Sequence, residues 1–158
     1  MAEIDEPRTA RNLALKMGGG AGKLVTADLI ASAEKRLQLL AVEARTDIAR
    51  RLDAMLGLYA QWQDGLARSL FDQAHNIRGV AGTFGMAELG EVCDALCRYL
   101  DDLPPGRMPD RALTHLLLQG LRGVLAAPHA SVASTLAREC QAAVRAVRQR
   151  EGRTRDLE

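Results

Sequence analysis

Apolar residues recur along this chain every third or fourth position, in stretches broken by glycine and proline, and that spacing admits amphipathic helices packed face to face. From Thr26, read as an N-cap, to Trp62 they fall at Ile30, Ala33, Leu37, Leu40, Ala44, Ile48, Leu52, Met55, Tyr59 and Trp62, with no proline and only Gly57 as a glycine. This predicts one long helix, or two joined near Thr46-Asp47; a single one would reach roughly 55 Å at ~1.5 Å per residue. Asp64-Gly65 marks a turn, with Asp64 as cap of a second helix from about Leu66 to Ala81. Gly82-Thr83-Phe84-Gly85 breaks the pattern, and Phe84 is expected to fold inward as a plug over the bundle end.

A third stripe runs from Met86 to Leu103 through Leu89, Val92, Cys93, Leu96 and Leu100, and Pro104-Pro105-Gly106 ends it. After Pro109 at a helix start, a fourth stripe takes Leu113, Leu116, Leu117, Leu121, Val124 and Leu125. A last helix, Ser131 to about Arg150, is patterned at Val132, Leu136, Cys140, Ala143 and Val147. No strand signal competes, and short turns place successive helices side by side. The expected fold class is all-α: an antiparallel up-down four-helix bundle with an additional or extended N-terminal helix. Its expected boundaries are 24–150, between a flexible N-terminal segment 1–23 and a flexible tail 151–158.

The charge balance, 21 basic against 20 acidic residues, gives no global field for nucleic acid or an anionic membrane surface. The Arg-rich end, Arg145, Arg148, Arg150, Arg153 and Arg155, has acidic neighbours and no interleaved aromatics, and reads as a solvated helix end. No apolar run approaches the ~18 residues of a membrane span, and three cysteines without a secretory signal imply reduced thiols. A cytoplasmic protein is expected. Cys93 and Cys97 stand four apart on one helix face, a chelating spacing, but Cys93 belongs to the apolar stripe and core packing is the preferred reading, with no metal site.

The second helix carries the residues that suggest chemistry. Leu70, Ala74, Ile77 and Ala81 form its inward stripe, and His75 sits roughly 130° from the stripe's centre, near Arg68, Arg78, Gly79 and Gly82 on the outward side. Each exposed helical glycine costs about 1 kcal/mol relative to alanine, so something other than helix stability favours them. A patch bare of side chains beside an exposed imidazole, with a cation one turn on, suits a histidine over which another protein's active site must close. The competing reading is that Gly79 and Gly82 serve close helix packing and that His75 is covered. His115 and His129 lack a comparable setting; His115 reads as a flank of the fourth stripe and His129 as turn surface next to Pro128.

Ala74-His75, Arg78-Gly79, Gly82, Gly85 and Leu89 resemble the signature of the histidine-containing phosphotransfer (HPt) family, Ala-His-x-x-Lys-Gly followed by small residues, a glycine and a leucine-rich helix. Arg78 stands where that family usually has lysine. The resemblance implies a four-helix bundle with His75 as phosphoacceptor, Nε2 as the attacking atom and Arg78 as the residue that stabilises the phosphoryl group. It implies a docking patch of Arg68, Phe71, Asp72, Gly79 and Gly82. Implied partners are response-regulator receiver domains, which bring the aspartate and Mg²⁺, and a hybrid or sensor histidine kinase. The chain itself would be a stoichiometric, monomeric phosphocarrier rather than an enzyme, with no cofactor of its own. The family often places a glutamine on the following helix to orient the imidazole; Cys97 holds the nearest position here, and a thiol is a weak donor. Two other readings stay open: a non-catalytic helical interaction module, and a dimerisation and phosphoacceptor domain of a sensor kinase, which usually builds its bundle from two chains.

Overall fold

The computed structural model describes the backbone of residues 21–155 and the side chains of residues 26–152. Five helices follow in order: α1 Ala21–Gln61, α2 Leu66–Thr83, α3 Ala87–Asp101, α4 Arg111–Ala126 and α5 Ala130–Arg155, with no strand among the described residues. The first helix is single, with no break at Thr46-Asp47, and begins at Ala21, so Thr26 lies inside it rather than capping it. The expected N-terminal segment lies outside the described residues up to position 20.

Two compact units divide the chain after Val42. In the first, residues 26–40 of α1 are exposed throughout, including Leu29, Ile30, Leu37, Leu39 and Leu40. Their stripe spacing is intact without a covering surface among the described residues of that unit. The second unit, Glu43 onward, holds the core.

Within that unit, Ile48, Leu52 and Met55 of α1 share one apolar cluster with Leu70, Ala74, Ile77 and Ala81 of α2, Leu89, Val92, Cys93 and Leu96 of α3, and Leu117, Leu118 and Leu121 of α4. Cross-links fix the directions of the helices. Arg45 Nη1 donates to the Leu125 carbonyl and the Tyr59 hydroxyl to the Arg111 carbonyl, so α1 and α4 are antiparallel. The pairs Phe71 with Cys97 and Arg78 with Asp94 make α2 and α3 antiparallel as well. Those four segments form the up-down bundle. The fifth helix runs parallel to α3, through Ser134 to Glu88, Gln141 to Glu91 and Arg148 to Asp102, and antiparallel to α4, where Gly120 faces Cys140 and Gly123 faces Leu136.

Several details depart from the sequence reading. Asp64 does not cap α2; Gly65 holds the cap position at φ 81° with no side-chain bond, a left-handed conformation that a residue with a Cβ adopts at a cost. The helix runs on through Gly82 to Thr83, and the reversal is made at Gly85, φ 69°. Met86, not Phe84, packs onto the core there; Phe84 is half-buried. The next helix is shorter than Met86 to Leu103, spanning Ala87–Asp101. Asp110, not Pro109, starts α4: its carboxylate accepts from Leu113 N–H at 2.7 Å, while its own N–H donates to the Tyr99 hydroxyl at 2.6 Å. On α4 Leu118 replaces Leu116 in the stripe, and Leu116 is exposed. On α5 the buried positions are Ala133, Ala137, Cys140, Val144 and Val147, one residue on from Val132, Leu136 and Ala143 at three places. The helix also continues past Arg150 to Arg155.

At the turn from α1 to α2, Trp62 adopts φ 42°, unusual for a residue with a bulky side chain. It is held from two sides, by Tyr59 edge-on at 5.2 Å between ring centroids and by the Arg111 guanidinium 5.0 Å over its ring.

Candidate functional site

The inward face of α2 explains why its outward face is free for chemistry. Leu66, Leu70, Ala74, Ile77 and Ala81 are all buried, which pins the helix rotation and turns His75 into solvent. Arg68, Asp72, Arg78, Gly79 and Gly82 are exposed on the same outward side, and Phe71 is half-buried at its edge. All seven residues singled out on α2 therefore come together on one ridge, spaced at the three- and four-residue intervals that make helical neighbours.

The imidazole is not isolated on that ridge. The Phe71 ring lies nearly parallel to it, with centroids 6.0 Å apart and planes 11° from coplanar. Arg68 lies 5.6 Å over the other aromatic, Phe71, and bonds Asp72 at 3.1 Å. The histidine thus has an apolar backing one turn toward the N-terminus.

On the opposite side the ridge is bare. A Cβ built on Gly79 or on Gly82 would meet nothing within 4 Å among the described residues, so neither glycine makes room there for a neighbouring helix. The packing explanation for both residues fails on that geometry. The Gly79 carbonyl takes a second bond, from the Thr83 hydroxyl at 3.1 Å.

Arg78 is not a free solvated charge. Its Nη1 donates to Asp94 Oδ1 at 2.7 Å across the α2–α3 seam, and Asp94 Oδ2 accepts from Arg98 Nε at 2.8 Å. Sequence reasoning missed Asp94, which carries no motif; only its spacing of four from Arg98 hinted at an ion pair. Cys97 lies buried, with its thiol toward the Phe71 carbonyl at 3.9 Å rather than toward the imidazole. Burial pushes the Cys93 and Cys97 thiols up from their ordinary range, and both belong to the core. Among the described residues no group of three or more His, Cys, Asp or Glu side chains is placed to hold a metal.

Comparison with protein families matches the chain to the Hpt domain over residues 25–150. The chain belongs to the Hpt domain family. Its helices form the family's all-α four-helix bundle, with α1 as the extended N-terminal helix. Comparison with curated proteins and with solved structures gives no significant match. Membership assigns this Hpt domain to His-Asp phosphorelay signalling and implies receiver domains as partners. Among the described residues of the Hpt domain, no helix is long and apolar enough to cross a membrane.

Proposed function

We propose that this Hpt domain carries a phosphoryl group on His75, taking it from the phosphorylated aspartate of one receiver domain and passing it to the free aspartate of another. The observation that carries the reading is the open space over Gly79 and Gly82, beside an exposed imidazole backed by Phe71. A receiver's loops reach a helix backbone there without meeting side chains, and the bare glycines count against a role confined to packing.

Phosphoryl transfer asks the protein for position and charge more than for covalent work. In neutral imidazole with the proton on Nδ1, the Nε2 lone pair forms the N–P bond in line as the aspartyl O–P bond breaks. The electron pair leaves on the receiver's carboxylate, and the Nδ1 proton stays on the ring. The receiver supplies Mg²⁺ and the acyl phosphate. Phe71 restricts the ring's swing, and Arg78, one turn on, is the cation within reach of the phosphoryl oxygens. Arginine offers a planar fork, so the contact can be bidentate. The chain acts as a cytoplasmic, monomeric carrier; Glu43 onward supplies four antiparallel bundle segments without a second chain.

The test is labelling by a panel of receiver domains phosphorylated on their aspartates. His75 should acquire an acid-labile phosphate and His75→Gln should take none; label persisting in that variant removes the assignment.

A further inference from the structure

The cation nearest to His75 along α2 is already engaged. Arg78 Nη1 and Asp94 Oδ1 are 2.7 Å apart, and the same carboxylate is held at its other oxygen by Arg98 at 2.8 Å. The Arg78 and Asp94 side chains are 42% and 31% exposed, and Arg98 is 70% exposed. Pairs this wet add little to folding, commonly 0–1 kcal/mol, so fold stability is a weak reason for the arrangement.

We infer that Asp94 is a positioning residue that competes with the phosphoryl group for Arg78 and thereby sets how readily phospho-His75 gives its phosphate up. The inference rests on the phosphotransfer reading above. A phosphoryl group on Nε2 brings anionic oxygens to a site one helical turn from Arg78, whose guanidinium then has two anions to choose between. Turning toward the phosphoryl group means releasing Asp94, and that exchange offsets part of the stabilisation gained.

Two features make the exchange possible. Asp94 is not stranded when Arg78 leaves, because Arg98 remains on its other oxygen. It also borders a groove between α3 and α5 lined by Arg98, Arg145 and Arg148, with Glu91 as the one other carboxylate, so three guanidiniums surround it against one further acid and it stays in contact with water. The phosphohistidine is consequently held less tightly than a free arginine would hold it. A carrier benefits from that, since a trapped phosphate is not passed on.

The experiment uses a receiver domain that labels the wild-type chain, brought to equilibrium with wild type, Asp94→Asn, Arg78→Gln and the Arg78→Gln/Asp94→Asn double variant, with the label divided between receiver and His75 measured for each. Asp94→Asn should raise the His75-to-receiver ratio roughly two- to fivefold, the range an exposed ion pair is worth. In the Arg78→Gln background the same change should do nothing, because Asp94 acts through Arg78. An unchanged ratio in Asp94→Asn overturns the inference. So does an equal gain in both backgrounds, which would mark Asp94 as a general field effect. Asp94→Ser repeats the comparison if the asparagine variant folds poorly by circular dichroism. Wild-type chain that takes no label on His75 removes the phosphotransfer reading itself, whereas a labelled chain with a flat ratio removes only the role of Asp94.

Discussion

Phe71 and His75 lie one turn apart on α2 with their rings 6.0 Å between centroids and nearly parallel. Such an aromatic contact is worth about 0.5–1.5 kcal/mol beyond the area it buries, enough to favour one imidazole orientation. Phe71→Ala should slow labelling of His75 by up to roughly tenfold, the kinetic equivalent of that energy. Phe71→Tyr keeps the ring and should keep the rate. Single-turnover labelling with one receiver checks both, and an unaffected Phe71→Ala would show that the stack orients nothing that matters to transfer.

Gly79 faces open space, so adding a methyl group costs no steric strain. Gly79→Ala should stabilise the bundle by up to ~1 kcal/mol through helix propensity, read as an upward shift in thermal midpoint. Labelling by a receiver should fall at the same time, more so for Gly79→Gln. A gain in stability joined to a loss of transfer is the combination expected of a docking surface.

Gly120 provides the contrast. A Cβ there would stand 2.2 Å from Cys140 Sγ, at the crossing of α4 and α5. Gly120→Ala should destabilise by about 1–3 kcal/mol through overpacking, despite alanine's better helix propensity. Urea denaturation distinguishes the two glycine variants by sign.

Cys93, Cys97 and Cys140 are buried free thiols whose ionisation burial pushes up, with Cys97 further affected by the nearby charges of Arg78, Asp94 and Asp101. None should react with iodoacetamide at pH 8 in the folded protein, and all should react once it is unfolded in guanidinium. Because the folded-state values lie above the unfolded thiol value of about 8.5, this contribution to stability is complete below that pH. It is lost progressively as pH rises, since the unfolded chain ionises first. Denaturation midpoints measured between pH 7 and pH 10 should therefore fall at the alkaline end.

The parts of the molecule legible in the sequence are those set by one helix alone. The stripe of Leu70, Ala74, Ile77 and Ala81 fixes which way α2 faces, so the exposure of His75 follows from periodicity. Register between helices does not follow in this way. The Arg78–Asp94 pair depends on how α3 slides along α2, which no single-helix pattern encodes. The phase of α5 was hidden for another reason: alanines and valines on adjacent positions give two nearly equal stripes. Gly120 and Gly123 let α5 approach α4 closely: Cys140 Sγ and Leu136 Cδ1 lie close to where their Cβ atoms would stand, with Ala137 and Cys140 buried and Leu136 only partly covered. The capping of α2 went unread because Gly65 supplies it by backbone conformation, without a side-chain bond.

The chain's single tryptophan is fixed at the α1–α2 turn, against Tyr59 and beneath Arg111, more than two helical turns of α2 away from His75. Its emission registers whether that end of the bundle is closed. A visitor seated over the imidazole leaves it untouched, so intrinsic fluorescence separates variants that have come apart from variants that have merely stopped passing phosphate.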